Sequence, residues 1–236
     1  MNSVNYSKEL EKVIVRNREQ GRIPSLLLQV CCAPCSSHCL EYLREDFDIT
    51  VLYYNPNISE REEFERRRSE ELRLIEEYNR QVEMQDFAGM HSTKRARKIR
   101  VLDVDYEGER YEEAIKGLER CPEGGDRCTV CFELRLGRTA ELAAQGGYDY
   151  FTTTLTISPL KNASRLNRIG EEMGLKYAVS WLPSDFKKKD GYKRSIELSH
   201  KFELYRQNYC GCRYSRGIGA QEENNEKAAG AASGGR

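Results

Sequence analysis

The sequence predicts an α/β protein with a doubly wound, mostly parallel sheet of about five strands. Short apolar runs, rich in β-branched or aromatic residues, recur along the chain, and longer charged segments separate them. Turn signals such as Asn55-Pro56-Asn57 and Gly146-Gly147 punctuate this alternation. Strands that alternate with helices favour parallel pairing, because each crossover helix returns the chain to the same end of the sheet.

Five segments have the composition of strands. The first, Ser25-Leu26-Leu27-Leu28-Gln29-Val30, is typical of a buried strand. The second is rich in β-branched and aromatic residues and stops at the Asn55-Pro56-Asn57 turn. The third is the weakest, and we expect it at a sheet edge. The predicted strands, in chain order, cover residues 25–30, 49–54, 101–104, 148–154 and 177–179.

Charged or amphipathic segments lie between these strands, and we predict helices there. Ser36 or Ser37 is positioned to cap the helix after the first strand. Ser59 and Glu62 form a capping box for a long helix, in which a run of arginines interrupts the apolar stripe. Gly146-Gly147 ends a later one. The predicted helices cover residues 1–21, 36–45, 59–79, 111–118, 129–145, 162–174 and 195–205.

Length and composition indicate one globular domain. A chain of 236 residues can bury a full core. Lys and Arg together number 38, as do Asp and Glu, so net charge argues neither for nor against nucleic acid. No apolar run is long enough to cross a bilayer and the N-terminus lacks a signal-peptide core, which predicts a cytoplasmic protein with no membrane partner. We expect one α/β domain over 1–219 and a disordered tail over 220–236.

Nine cysteines carry most of the functional information, and seven of them form three groups. The first group follows the first strand, at the sheet edge where ligands bind in open α/β folds. Neighbouring Cα atoms are about 3.8 Å apart, which is shorter than a disulfide normally spans, so Cys31 and Cys32 favour metal ligation. The groups are Cys31, Cys32 and Cys35; Cys128 and Cys131; and Cys210 and Cys212, which we expect in a helical segment at the C-terminal end of the fold.

Two metal chemistries stay open for Cys31, Cys32, Cys128 and Cys131. Structural zinc normally takes two separated C-x-x-C pairs. A [4Fe–4S] core is larger, and neighbouring cysteines can reach different irons of it. The adjacent pair therefore favours the cluster over zinc.

The Cys210-Gly211-Cys212 segment has three interpretations. A disulfide across it would close a small, strained ring, which is typical of a redox-active pair. The same thiolates are also able to hold a second metal, and two buried thiols at a helix end are the structural explanation. Cys35 is placed to join either centre, whereas Cys39 is expected in the core.

Six segments of the chain, in order, resemble the QueH-type tRNA epoxyqueuosine reductases. They extend from about residue 25 to 215, and six motifs in register are more specific than any one of them. The segments are Val30-Cys31-Cys32-Ala33-Pro34-Cys35-Ser36, Tyr54-Asn55-Pro56-Asn57-Ile58, Glu123-Gly124-Gly125-Asp126-Arg127-Cys128-Thr129-Val130-Cys131-Phe132, Phe151-Thr152-Thr153-Thr154-Leu155, Ser184-Asp185-Phe186-Lys187-Lys188-Lys189 and Tyr205-Arg206-Gln207-Asn208-Tyr209-Cys210-Gly211-Cys212.

The resemblance implies a reaction, cofactors and a fold. Such enzymes reduce the epoxide of epoxyqueuosine, at the wobble position of certain tRNAs, to queuosine; they use an external electron donor and no cobalamin. Cys210 and Cys212 would be the redox-active pair, or ligands of a second, mononuclear iron. Some relatives place an aspartate where this chain has Cys35, so a thiolate would replace it at that iron. The fold resembles the nucleotide-hydrolase (HUP-like) type. The implied ligands of the [4Fe–4S] cluster are Cys31, Cys32, Cys128 and Cys131.

Contacts to tRNA are predicted in the basic segment after Trp181. A base of the anticodon loop has to leave its stack, which favours an aromatic ring as its new neighbour, and Phe186 and Tyr192 are candidates. The cations beside them suit phosphates. The predicted RNA-binding residues are Lys187, Lys188, Lys189, Tyr192, Lys193 and Arg194.

Two other functions stay open on the residues alone. A zinc-stabilised RNA-binding module without catalysis would use the cysteines only for structure. A protein thiol oxidoreductase would act through Cys210 and Cys212 and would not need Cys31 or Cys32. The content of iron, sulfide and zinc separates these possibilities from the reductase.

Overall fold

The computed structural model describes residues 4–215. Helices and strands alternate through this range. The strands are β1 (Ser25–Gln29), β2 (Asp48–Leu52), β3 (Arg100–Leu102), β4 (Tyr150–Thr153) and β5 (Ser180–Trp181). The helices are α1 (Tyr6–Glu19), α2 (Ala33–Leu43), α3 (Arg61–Met84), α4 (Gly108–Ala114), α5 (Asp126–Gln145), α6 (Ala163–Tyr177) and α7 (Gly191–Lys201), and two 3₁₀ turns lie at Thr154–Ile157 and Arg213–Ser215.

One sheet with five parallel strands forms the centre of the described residues, in the order β3-β2-β1-β4-β5. Leu28 of β1 pairs with Val51 of β2 on one side and Thr152 of β4 on the other. The chain runs outward from β1 through β2 to β3 and then returns to the opposite side of β1. This reversal places a topological switch point between β1 and β4. The predicted doubly wound, parallel α/β class is confirmed.

Successive side chains of β1 supply both faces of the core, as expected for a strand covered by helices on two sides. Leu26 and Leu28 belong to a cluster with residues of α1, α2 and α3. Leu27 belongs to a second cluster with residues of α5 and α6. The carboxyl ends of β1 and β4 therefore open between α2 on one side and α5 on the other.

Helix α2 begins three residues before the predicted start, so the serine cap is wrong. Its N-cap is Cys32, with extended backbone angles, and Pro34 lies in the first turn. Proline suits that position because its φ is already helical and its missing N–H has no partner to lose. Ser36 and Ser37 lie inside the helix and donate to the carbonyls of Ala33 and Pro34. Cys35 is consequently fixed on the first helical turn.

The capping box predicted for α3 is also wrong. The helix begins after Glu60, and Ser59 Oγ accepts a hydrogen bond from the backbone N–H of Arg213 at 3.1 Å. The buried stripe of α3 is more polar than the sequence suggested, because Arg67 is 2% exposed and Glu71 is fully buried. Both side chains face the end of the sheet that carries the cysteines.

The last strand lies later than predicted. Helix α6 continues through Tyr177, and Ala178 ends it with a left-handed backbone at φ 56°. Gly174 was expected to end the helix, but it lies within it. A side chain at Gly174 would meet the carbonyl of Val179 at 2.8 Å, so glycine is needed there for close packing. The strand then follows at Ser180–Trp181.

The C-terminal cysteines do not lie on a helix. Helix α7 ends at Lys201, and Cys210 and Cys212 follow in an irregular segment before the second 3₁₀ turn. The predicted domain end at 219 and the tail over 220–236 lie outside the described residues. Across residues 4–215, every helix is too short or too polar to cross a membrane.

Candidate functional site

The first cysteine group forms a compact triad directly after β1. Cys31 Sγ and Cys32 Sγ are 3.7 Å apart, and the sulfurs of Cys31, Cys32 and Cys35 all lie within 4.8 Å of one another. The proline-containing first turn of α2 produces this arrangement, because it brings Cys35 back over the two residues that precede the helix. Three soft donors thus converge at the carboxyl end of the central strand.

Hydrogen bonds within the triad divide its protons unequally. The pKa of Cys31 lies well below its ordinary value, mainly because the thiols of Cys32 and Cys35 donate hydrogen bonds to it. The same hydrogen bonds have the opposite effect on the two donors. They raise the pKa of Cys32 to about 12, and they raise the pKa of Cys35 as well. The hydrogen bonds therefore favour the thiolate at Cys31 over thiolates at Cys32 and Cys35, and metal binding would release the protons of the ligating thiols.

The second group lies on the first turns of α5. Gly125 is the N-cap, and the backbone N–H of Gly124 donates to Cys128 Sγ at 3.2 Å. Cys128 and Cys131 are three residues apart on the helix, so both side chains project from one face. Burial raises the pKa of the Cys131 thiol to about 11. The predicted helix over 129–145 is confirmed, although α5 begins three residues earlier, at Asp126.

The third group has one half-buried thiol, Cys210, and one buried thiol, Cys212. Cys212 is 4% exposed and lies 3.1 Å from the hydroxyl of Tyr111. Cys210 Sγ lies 3.2 Å from Ser215 Oγ. The pKa of Cys210 is well below its ordinary value because Cys212 donates a hydrogen bond to it, and the same bond raises the pKa of Cys212.

Gly211 separates these two cysteines with a backbone that other residues adopt only under strain, at φ 102°. A Cβ atom at this position would lie 2.7 Å from Ile58 Cγ1. The segment therefore passes too close to the chain after β2 for any larger residue.

Shared packing connects the three groups. Cys131 and Cys212 are buried in one cluster with Tyr111, and Cys210 packs against it. Cys31 and Cys128 both pack against the core cluster beneath α5. The set of three sulfurs that lie within 4.8 Å of one another does not include Cys128 or Cys131.

Three cations with little exposure surround the cysteines. Arg135 lies one turn after Cys131 on α5, and its charge favours the thiolates of Cys131 and Cys31. The charge of Lys161 favours the thiolates of Cys31 and Cys210. The guanidinium of Arg67 interacts electrostatically with Cys32 and Cys31. Positive charge of this kind suits a site that accumulates thiolates.

A buried polar network beneath the site fixes Arg135. Its Nη2 donates to Asn55 Oδ1 at 2.7 Å, and Asn55 Nδ2 donates to the carbonyl of Val30 at 2.9 Å. Gln29 Nε2 also donates to that carbonyl, and Gln29 Oε1 accepts from Thr153 Oγ1 at 2.6 Å. The ends of β1, β2 and β4 are therefore locked to α5. The Asn55-Pro56-Asn57 turn was the only sequence signal for this network.

Gln207 is a further residue of the site that the sequence did not single out. Its Nε2 donates to Cys32 Sγ at 2.8 Å, while its buried Oε1 makes no hydrogen bond within the described residues. Gln207 therefore holds the C-terminal segment (residues 202–215, after α7) against the first cysteine group.

The predicted RNA-binding residues divide into paired and exposed ones. Arg194 is mostly buried and its Nη2 donates to Glu41 Oε1 at 2.8 Å. Lys187 pairs with Asp185, and Lys189 with Glu11. The exposed members are Lys188, Lys189, Tyr192 and Lys193, and Lys189 is therefore both paired and exposed.

Phe186, the other candidate for stacking on a base, is 3% exposed and belongs to the main core cluster. That expectation is wrong, because the side chain has no free face for a base. Cys39 is fully buried, as expected.

Comparison with known proteins gives a consistent result. The family model described as "Epoxyqueuosine reductase QueH" matches residues 26–217. A Streptococcus pyogenes protein of that name is 40% identical over 212 residues, which cover 90% of this chain and 78% of the relative. A Staphylococcus epidermidis protein of the same name is 38% identical, covering 96% and 92%. One from Thermotoga maritima is 33% identical, covering 81% and 90%.

Proposed function

Because this chain belongs to the epoxyqueuosine reductase QueH family, we propose that it reduces the epoxide of epoxyqueuosine in tRNA to the alkene of queuosine. The single observation that carries the proposal is the match across residues 26–217, which includes all three cysteine groups. The reaction consumes two electrons and two protons, breaks both C–O bonds of the epoxide and releases water. An external electron carrier would supply the electrons.

The proposed cofactor is a [4Fe–4S] cluster on Cys31, Cys32, Cys128 and Cys131. Two features support it. The donors are all thiols, which are the ligands that iron–sulfur clusters take. Four thiolates also bring four negative charges into a poorly hydrated site, and the cations Arg67, Arg135 and Lys161 offset much of that charge. When bound, such a cluster supplies electrons one at a time.

Cys210, Cys212 and Cys35 would complete the site in one of two ways. A second, mononuclear iron would use Cys35 together with the C-terminal pair, and the closeness of Cys35 to Cys31 and Cys32 supports its membership of the site. Alternatively, Cys210 and Cys212 form a redox-active disulfide. The low pKa of Cys210 suits both, since ligation and thiol exchange each require a thiolate.

Lys161 is the side chain that we assign to the departing oxygen. It lies after the 3₁₀ turn at the end of β4, and its charge acts on Cys31, Cys35 and Cys210 at once. Negative charge develops on the epoxide oxygen as its first C–O bond breaks. An ammonium fixed beside the thiols would stabilise that charge and donate a hydrogen bond to the oxygen.

The exposed residues Lys188, Lys189, Tyr192 and Lys193 are proposed to contact the tRNA. The three lysines suit phosphates, and the ring of Tyr192, which is 38% exposed, is free to stack on a base. Arg194 and Lys187 would support tRNA binding indirectly, because they pair with Glu41 and Asp185.

The decisive experiment measures iron, sulfide and zinc in protein purified without oxygen, together with turnover of epoxyqueuosine in tRNA. We expect about four irons and four sulfides in the cluster, and loss of the epoxide when a reductant is added. A zinc-stabilised module predicts a colourless protein with zinc and an intact epoxide; the compact sulfur triad is the observation that favours this rival. That result would reject the reductase.

A further inference from the structure

We propose that Arg67 is a positioning residue, which holds the Cys210-Gly211-Cys212 segment against the first cysteine group by binding its backbone carbonyls. The inference rests on the proposed function, because it assigns Arg67 a role in assembling that site. Arg67 belongs to α3 and is 143 residues away from Cys210 in the sequence.

The guanidinium of Arg67 is committed to the C-terminal segment by geometry. Its Nη1 donates to the carbonyl of Cys210 at 3.2 Å, and its Nη2 donates to the carbonyl of Tyr209 at 3.3 Å. The guanidinium also lies over the ring of Tyr209, 5.1 Å from its centroid. A planar fork with several N–H groups can bind two consecutive carbonyls at once, whereas a lysine ammonium cannot reproduce this pattern.

The Nε–H group of Arg67 fixes the orientation of the guanidinium. Arg67 Nε donates to Glu63 Oε1 at 2.6 Å, one turn earlier on α3. Glu63 in turn accepts from the hydroxyl of Tyr205 at 3.1 Å. Tyr205 lies in the same C-terminal segment, so the Glu63–Arg67 pair holds this segment at two points.

Two further contacts hold the backbone on either side of Gly211. Asn57 Nδ2 donates to the carbonyl of Cys210 at 3.3 Å, which therefore receives two hydrogen bonds. The backbone N–H of Ser59 donates to the carbonyl of Gly211 at 3.1 Å. With both carbonyls fixed and no room for a Cβ at Gly211, the directions of the two cysteine side chains are determined by the segment between β2 and α3.

Burying an arginine is costly unless it is fully bonded. An apolar residue at position 67 would pack more easily against the core. The two neighbours of Arg67 in the arginine run remain at the surface. Arg66 stacks on the ring of Tyr205, and Arg68 pairs with Asp103. Of the three arginines, Arg67 turns inward, towards the carbonyls of Tyr209 and Cys210, and it lies close enough to interact electrostatically with Cys32 and Cys31. Its position links the third cysteine group to the first.

The test compares Arg67→Lys and Arg67→Gln with Arg68→Lys and Arg68→Gln in the full-length protein as purified. Iodoacetamide labelling is followed by mass spectrometry, and the ratio of Cys212 to Cys39 modification is measured well below the melting temperature of each variant. Both thiols are buried, but Cys39 lies in the core, away from this segment. Global unfolding exposes both thiols, whereas local release of the segment exposes only Cys212.

We expect the ratio to rise about tenfold in the Arg67 variants, because a local opening becomes easier, and to stay unchanged in the Arg68 variants. A folded Arg67→Lys protein with the wild-type ratio would overturn the proposal, even if its melting temperature were lower. If Arg67→Gln does not fold, Arg67→Lys decides. The labelling needs no tRNA, so a wild-type protein that fails to reduce epoxyqueuosine would reject the proposed function and leave this test valid.

Discussion

The hydroxyl of Tyr111 lies 3.1 Å from Cys212 Sγ, although the two residues belong to α4 and to the C-terminal segment. Both side chains are buried, so each serves as the hydrogen-bond partner that water would otherwise supply to the other. The contact links α4 to the third cysteine group. It makes Tyr111 part of the site, although its sequence context gave no hint of this role.

Replacing Tyr111 with Phe should lower the free energy of unfolding by about 1 kcal/mol, because a buried thiol loses its hydrogen-bond partner. Urea denaturation of the wild type and the variant measures the difference. Tyr148→Phe is the matched control, since Tyr148 packs at the edge of the core beneath α5. Equal stability of Tyr111→Phe and wild type would show that the contact contributes nothing to the folded state.

Replacing Cys128 with Ala should remove the brown chromophore, the bound iron and the activity together. Cys128 is one of four proposed ligands, and a cluster that loses a thiolate is less tightly held. Visible absorbance, iron content and turnover are measured on the same sample. Cys121→Ala is the control, because Cys121 belongs to none of the three groups. A colourless Cys128→Ala protein with full activity would contradict the assigned role.

Replacing Cys212 with Ser should keep the cluster absorbance and stop turnover. Cys212 lies outside the proposed four-ligand set, and in either proposed arrangement it is needed as a redox partner or a second-metal ligand. Absorbance and epoxide reduction are compared with those of Cys121→Ser. Turnover at the wild-type rate would exclude both arrangements.

The fold was predictable because its signals are local. Short runs of three to seven residues and the turns beside them predicted all five strands, and only the last was misplaced, since α6 continues past Gly174 and ends at the left-handed Ala178. The cysteine groups were predictable for the same reason, because each is a short motif in the sequence.

The residues that hold those groups together were not predictable. The sequence showed Arg67 only as part of an arginine run that interrupts an apolar stripe, and it predicted Ser59 as a helix cap; each instead binds the C-terminal segment more than 140 residues away. Arg135 was not singled out by any sequence pattern, but it donates a hydrogen bond to Asn55 within the core. Such roles depend on which distant elements meet, and no local pattern encodes that.

Replacing Lys161 with Met should lower the rate of epoxide reduction by about 10²–10³, the usual cost of losing one group that stabilises developing negative charge. Binding of tRNA should change little, because Lys161 is partly buried beside the thiols. Single-turnover reduction and tRNA affinity are measured separately. Lys176→Met, on the exposed face of α6, is the control. A normal single-turnover rate in Lys161→Met would remove this residue from the chemistry.

Glu71 makes the stability of the protein depend on pH in an unusual direction. Its carboxyl is buried beneath α2, where Oε2 accepts from Ser36 Oγ at 2.9 Å and Oε1 makes no hydrogen bond within the described residues. Burial raises the pKa of Glu71 to about 8. Between its ordinary value and about 8 the folded state therefore binds a proton that the unfolded state does not, so wild-type stability falls as pH rises through this window.

The variant Glu71→Gln keeps the shape and cannot ionise. We expect it to gain stability relative to wild type as pH rises from 5 to 8, measured by urea denaturation at several pH values. Glu70→Gln is the control, and its stability should differ from that of wild type by a constant amount between pH 5 and 8. The pKa of Glu70 is lowered by the hydrogen bond from Arg73, so wild type gains stability above the ordinary carboxyl pKa and loses it as pH falls. Parallel stability curves for Glu71→Gln and wild type would mean that Glu71 is ionised in the folded protein, and its burial would then need a compensating cation.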